Sequence, residues 1–179
     1  MTNESILISM KPEWVEKIIK GEKTIEVRKI KPHMSAPFRV YVYCSLTGRE
    51  LWLAGIKGGR ESVKLNGKVC LEFICHRVDT IGYDHAGLCF RNTMNLSDTA
   101  HTAIHPEVLG RTCLTEEQMR KYIGGCGGYG WHISDMKVYD HPLMIEDFQY
   151  YGCRNHLSKA PQSIVYVGRP EKLADVIDF

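Results

Sequence analysis

The chain has 179 residues, 44% of them hydrophobic and 25% charged, and a formal net charge of only +2, which together predict a soluble globular protein and exclude a histone-like polycation. The length predicts a single domain, 1–179, with a core large enough to need no covalent staples. No apolar run approaches the roughly 20 residues of a membrane-spanning helix, and Lys11-Pro12-Glu13 cuts the N-terminal apolar run too short for a signal peptide, so the expectation is a cytoplasmic protein with no membrane contact.

Ser5-Ile-Leu-Ile-Ser-Met10 reads as a short strand. Pro12 then opens a helix at its first turn, where a missing N–H costs nothing. Trp14, Val15, Ile18 and Ile19 make its apolar stripe, and Gly21 stops it. Next comes Gly21-Glu-Lys-Thr-Ile-Glu-Val-Arg28, a turn leading into a strand. In that strand Thr24, Glu26 and Arg28 share one face, Ile25 and Val27 share the other, and Lys23 stands at the entrance. A cation, a hydroxyl, a carboxylate and a guanidinium in one patch suit a polar, partly anionic ligand. The same pattern also fits an exposed strand face whose Glu and Arg satisfy each other.

Phe38–Cys44 is strongly β-like, with Val40 and Val42 on one face and Tyr41 and Tyr43 able to cover the outer one. Gly55, Gly58 and Gly59 predict a flexible connection. Lys68–Cys75 is a further strand that continues into Val78 and Ile81 with a change of phase, the sign of a bulge or bend. Residues 82–114 lack a sustained period and read as an insertion or long loop region with short helices at most. Thr115-Glu-Glu-Gln118 is a capping box, so a short helix is expected near 116–123, with Met119, Tyr122 and Ile123 on one face.

Gly124-Gly-Cys-Gly-Gly-Tyr-Gly130 lacks the Lys-Ser/Thr and the helix of a P-loop, and reads as a mobile connection or lid. Trp131–Tyr139 is another strand, with His132 and Ser134 facing the same way. Ser163–Val167 is the last. Six short strands and two helices in this order predict an α+β fold, a mainly antiparallel curved sheet closing toward a barrel.

The charge is uneven along the chain. Residues 1–77 hold 14 Lys/Arg against 8 Asp/Glu, and residues 78–179 hold 9 against 13. That split permits a basic surface suited to phosphate, unless folding intermixes the halves. The seven cysteines are odd in number and include no CxxC, which fits reduced core thiols. His101 and His105 have the i, i+4 spacing of a helical ligand pair. No Glu follows His101, however, and Pro106 ends any helix, so neither a metal nor a cofactor is expected.

Gly21, Lys23, Glu26 and Arg28 together meet the pattern GxKxxExR directly after a short helix. In this the chain resembles the ASCH domain family of the PUA-like superfamily, in its bacterial and phage-type members. Gly130–Tyr139 and Pro161–Val167 are similar as well, so the likeness runs from the first strand to the last and leaves 82–114 poorly accounted for. The resemblance implies a small β-barrel with a polar cleft at the motif and an RNA or nucleotide-like partner. Lys23, Thr24, Glu26 and Arg28 would line that cleft, Lys23 and Arg28 meeting phosphate and Glu26 accepting from a base. Trp131, or Tyr129, would stack on an unpaired base, with His132 and Ser134 beside it; against this, Trp131 also fits the core and His132 a structural role.

Some relatives are similar to amidohydrolases that deacetylate acetylated cytidine with a lysine, a threonine and a downstream glutamate. Lys23 fits the first, but Glu26 stands where the threonine belongs, and Thr24 lies one strand repeat of roughly 6–7 Å earlier. Glu72 is one candidate for the glutamate. An enzyme would therefore rely on Lys23 and Glu26 as acid and base, or on His132 in a metal-independent ribonuclease.

Overall fold

The alternating stretches become strands in a computed structural model, which describes residues 4–54, 62–84, 87–92 and 106–173. The glycines at 55, 58 and 59, the His101/His105 pair and residues 85–86 and 93–105 of the illegible region lie outside the described residues. The elements in order are β1 (Ser5–Met10), α1 (Pro12–Ile19), β2 (Ile25–Arg28), β3 (Phe38–Cys44), β4 (Trp52–Leu53), β5 (Val63–Lys64), β6 (Lys68–Asp84) and β7 (Gly87–Asn92). They continue with α2 (Pro106–Thr112), α3 (Glu116–Ile123), β8 (Gly128–Leu143) and β9 (Ile164–Val167).

The chain folds as two compact units, and the long strands β6 and β8 contribute residues to both. The first unit comprises 1–19, 38–74 and 135–179. Within it β1 is central, parallel to β3 (Ile6 opposite Val40) and antiparallel to β9 (Ile6 opposite Tyr166). All seven residues of β3 except Arg39 are buried, so Tyr41 and Tyr43 do not cover an outer face as expected. They belong to a core with Leu7, Val69, Phe148 and Val167, and the Phe148 ring meets Tyr41 edge-on at 5.0 Å. Glu72 is held in this unit by two side chains. The Tyr139 hydroxyl donates to Oε2 at 2.6 Å, and Arg39 pairs with Oε1. Burial and the bond to Glu72 push the Tyr139 pKa far up, so this phenol stays a donor.

The second unit comprises 20–37 and 75–134. Here β2 runs antiparallel to the start of β8 (Ile25 opposite His132, Arg28 opposite Tyr129) and β6 forms a hairpin with β7 (Ile81 opposite Phe90). Val27, Ile81, Leu88, Met119 and Ile123 form its core. The α3 capping box is made as its residues predict: Thr115 Oγ1 accepts from Gln118 N–H at 3.2 Å and Gln118 Oε1 from Thr115 N–H at 2.9 Å.

Three expectations need correction. The described residues contain nine strand segments rather than about six, and no ladder among them closes the sheet into a barrel. The described parts of 82–114 include the end of β6, β7 and the short helix α2, so strand replaces part of the expected loop; the apolar residues of β7 do not alternate and α2 has no cap signature. The glycine-rich stretch is not a lid. Residues 124–126 make one 3₁₀ turn, and Gly128 and Gly130 are already inside β8. Their missing side chains let other atoms approach. A Cβ on Gly128 would fall 2.8 Å from Ile123 Cγ2, and one on Gly130 would fall 2.8 Å from Phe90 Cε1.

All seven cysteines are free. Burial pushes the thiol of Cys44 up to about 11 and that of Cys75 up to about 12, and raises that of Cys70 further. A native thiol titration with an aromatic disulfide should therefore label the exposed Cys126 and Cys153 within minutes. Cys44, Cys70, Cys75 and Cys89 should react only after urea is added; fast labelling of more than three thiols would contradict the packing described.

Candidate functional site

The motif strand sits where its neighbours force it. Gly21, at φ +74°, turns the chain out of α1 in a conformation that L side chains rarely adopt. Thr24 then bonds on both sides: its N–H donates to Arg111 O at 3.0 Å, and its carbonyl accepts from Ile133 N–H at 3.0 Å. Val27 goes into the core of the second unit. The opposite face of β2 carries Glu26 and Arg28 across from Trp131 and Tyr129.

The three charged motif side chains do converge. Lys23 Nζ is 3.3 Å from Glu26 Oε2, and Arg28 Nε is 2.9 Å from Glu26 Oε1. The second approach is a contact of opposite charges, without the alignment of a hydrogen bond at Nε. They meet inside the protein rather than in an open hollow. Lys23 is 3%, Glu26 7% and Arg28 9% exposed. Lys23 also donates to Ile25 O at 3.0 Å and to Thr112 O at 2.8 Å. Among the described residues two backbone carbonyls therefore accept from this ammonium, and the Glu26 carboxylate lies beside it. Through Thr112 it fastens the end of α2 to the start of β2, where a cation also suits the helix's carbonyl end.

The other site residues divide. Thr24 is half-buried, and its Oγ1 accepts from Arg111 Nε at 2.9 Å. Trp131 is fully buried, so it is a core residue and no stacking platform in this structure; its place opposite Glu26, behind the sheet's edge, decides that. Tyr129 and Ser134 are half-buried.

His132 is 1% exposed and tied to a partner that periodicity did not reveal. Its Nε2 lies 2.7 Å from Asp79 Oδ2. Arg77 Nη2 reaches the same oxygen at 3.1 Å and lies 3.0 Å from Nε2. The ring of His76 meets that of His132 edge-on at 5.7 Å. This set neutralises itself in place, and His132 faces Asp79 rather than the motif triad.

Sequence reasoning missed Asp79, Arg77, Arg111 and Thr112 as partners, because each contact joins residues from 53 to 89 positions apart, apart from the local Arg77–Asp79 pair. It also undervalued Lys29 and Tyr122. Lys29 Nζ lies 5.3 Å from the Tyr122 ring centroid, and Tyr122 is 40% exposed. The Tyr122 phenol is pushed up mainly by burial, with Arg28 lowering it and Glu26 raising it, so the ring lies within reach of the motif's charges.

The charge asymmetry along the chain is redistributed by folding. The first unit holds 13 Lys/Arg and 13 Asp/Glu, the second 10 against 8, so the net charge of +2 belongs to the unit that carries the motif. Among the described residues no cluster of His, Cys, Asp and Glu is arranged to hold a metal ion, and no helix is long and apolar enough to cross a membrane.

In fold the chain is similar to the crystal structure of ASCH from Zymomonas mobilis, at 17% identity and a TM-score of 0.56, with 96% of this chain and 92% of that one covered. Two single-substitution variants of that protein match at 18% identity and a TM-score of 0.56, covering 96% of this chain and 96% and 94% of theirs. The sequence matches no protein-family model, and no curated protein matches it. Likeness at this identity speaks to architecture alone.

Proposed function

The chain has an ASCH-domain fold, and on that premise we propose that it binds RNA or a modified nucleotide at the β2 edge of its second unit. One observation carries this reading: Lys23, just before β2, converges with Glu26 and Arg28 on that strand, and the chain leaves it through the exposed Lys29 and Lys31. The buried triad keeps three polar side chains in register, while the exposed lysines and the rim of Arg28 meet phosphate. Lys23 belongs to the framework rather than to the ligand, since it is buried, donates to two backbone carbonyls and lies against Glu26.

Titration of a labelled single-stranded RNA ten-mer into the full chain should show binding that weakens steeply between 50 and 200 mM salt (about 10-fold or more). Arg28→Ala should weaken it by about 10-fold, a loss of the size expected for one charged contact. Absent or salt-independent binding rejects the proposal. The hydrolytic alternative, on acetylated nucleosides or on RNA itself, asks Lys23 to give up a carbonyl or Glu26 to become a base. Product formation by the unmodified chain, abolished in Lys23→Met with the fold intact, would favour it.

A further inference from the structure

We propose that Tyr122 and Lys29 form a stacking subsite for an aromatic ring that bears phosphate, as in one nucleotide of a single strand. The proposal rests on the nucleotide-binding reading and adds where a base would lie. Tyr122 belongs to α3, whose Met119 and Ile123 are anchored in the core of the second unit. The ring is therefore held rigidly, yet it remains 40% exposed, unlike the buried Trp131. A half-exposed aromatic on a fixed backbone loses little conformational entropy on binding a flat partner.

The charges around it select the partner. Lys29 lies over the ring, and Lys31 and Lys121 are exposed on the adjoining segments. Of the two acidic residues in the first turn of α3, Glu116 pairs with Arg120 at 2.7 Å and Glu117 is exposed; Arg120 in turn covers the Tyr83 ring at 4.6 Å. Ile30, between Lys29 and Lys31 in the sequence, is 51% exposed. A part-exposed aromatic ring with an ammonium over one face suits a planar base that stacks on the other face while its phosphate takes the ammonium group. The motif's part becomes indirect: Glu26 and Arg28 hold the strand end from which Lys29 projects, and their charges reach the Tyr122 phenol.

The test uses the full chain and a single-stranded RNA ten-mer carrying one 2-aminopurine. Binding to the unaltered chain should quench its fluorescence through stacking. Tyr122→Phe should keep both quenching and affinity, whereas Tyr122→Ala should remove the quenching and weaken binding by about 10-fold. Lys29→Ala should reduce the salt slope by about one unit. Tyr122 is part-exposed, so circular dichroism is expected to find Tyr122→Ala folded; should it unfold, Tyr122→Leu replaces it and must show the same losses. If the alanine variant binds and quenches like the parent while Arg28→Ala does not, the subsite is wrong and the broader reading stands. If the parent chain binds no RNA at any salt concentration, both fall.

Discussion

Replacing Lys23 with Met should lower the unfolding free energy by about 3 kcal/mol, the low end of the cost of stripping one partner from a buried ion pair. The residue is 3% exposed and engages Ile25 O, Thr112 O and Glu26 Oε2. A methionine fills the stem but leaves two carbonyls and a carboxylate oxygen without their donor, and none of these can be rehydrated without opening the end of α2. Arg28 stays beside Glu26, which keeps the loss from reaching the high end. Urea denaturation followed by Trp131 fluorescence, in a background where Trp14 and Trp52 are replaced by Phe, reads the second unit directly. A companion Glu26→Gln variant tests coupling: the double variant should cost less than the two single losses added, because the same contact is removed twice. Parent-like stability for Lys23→Met would mean that the ammonium is solvated and free for a ligand, which would reopen a catalytic role.

Gly127→Ala should cost about 2–3 kcal/mol, whereas Gly125→Ala, two residues earlier, should change stability by no more than about 0.5 kcal/mol. Gly127 has φ +76°, and a Cβ there would fall 2.5 Å from the backbone oxygen of Ile81, which cannot swing away as a side chain would. Gly125 has nothing within 4 Å of the corresponding position. The same denaturation assay separates the two. Equal, negligible effects would restore the mobile lid that the run of glycines suggested. The contrast matters for function, because this turn joins α3, which carries Tyr122, to the strand that pairs with the motif.

The local elements were readable because their signals are local. Pro12 and Gly21 bracket α1, the Thr115–Gln118 box starts α3, and the alternation of β-branched residues marks β1, β3 and β9. That Glu26 and Arg28 share a face was readable too, since strand alternation sets it; Lys23 lies before β2 and joins them from the strand's entrance. Less legible was β7, whose apolar Leu88, Cys89 and Phe90 run together without alternating and which depends on its hairpin with β6. Trp131 and His132 show the limit most plainly. Neighbours in a strand, they point to opposite faces, and both are buried, one across from Glu26 and one against Asp79.

By itself, then, the sequence determined the order of turns, caps and alternating strands, and the pattern that gathers a lysine, a glutamate and an arginine on one pleated segment. Those outcomes depend on interactions within a few residues, which neighbouring side chains and backbone dihedrals specify directly. Only the tertiary structure decided that the gathered charges are enclosed, that Lys23 is consumed by the carbonyl end of a helix 89 residues away, and that Tyr122 rather than Trp131 offers a ring to solvent. Alternation states which groups lie together; what lies over them depends on chain segments that become neighbours only on folding, when burial removes water from one aromatic and leaves it on another.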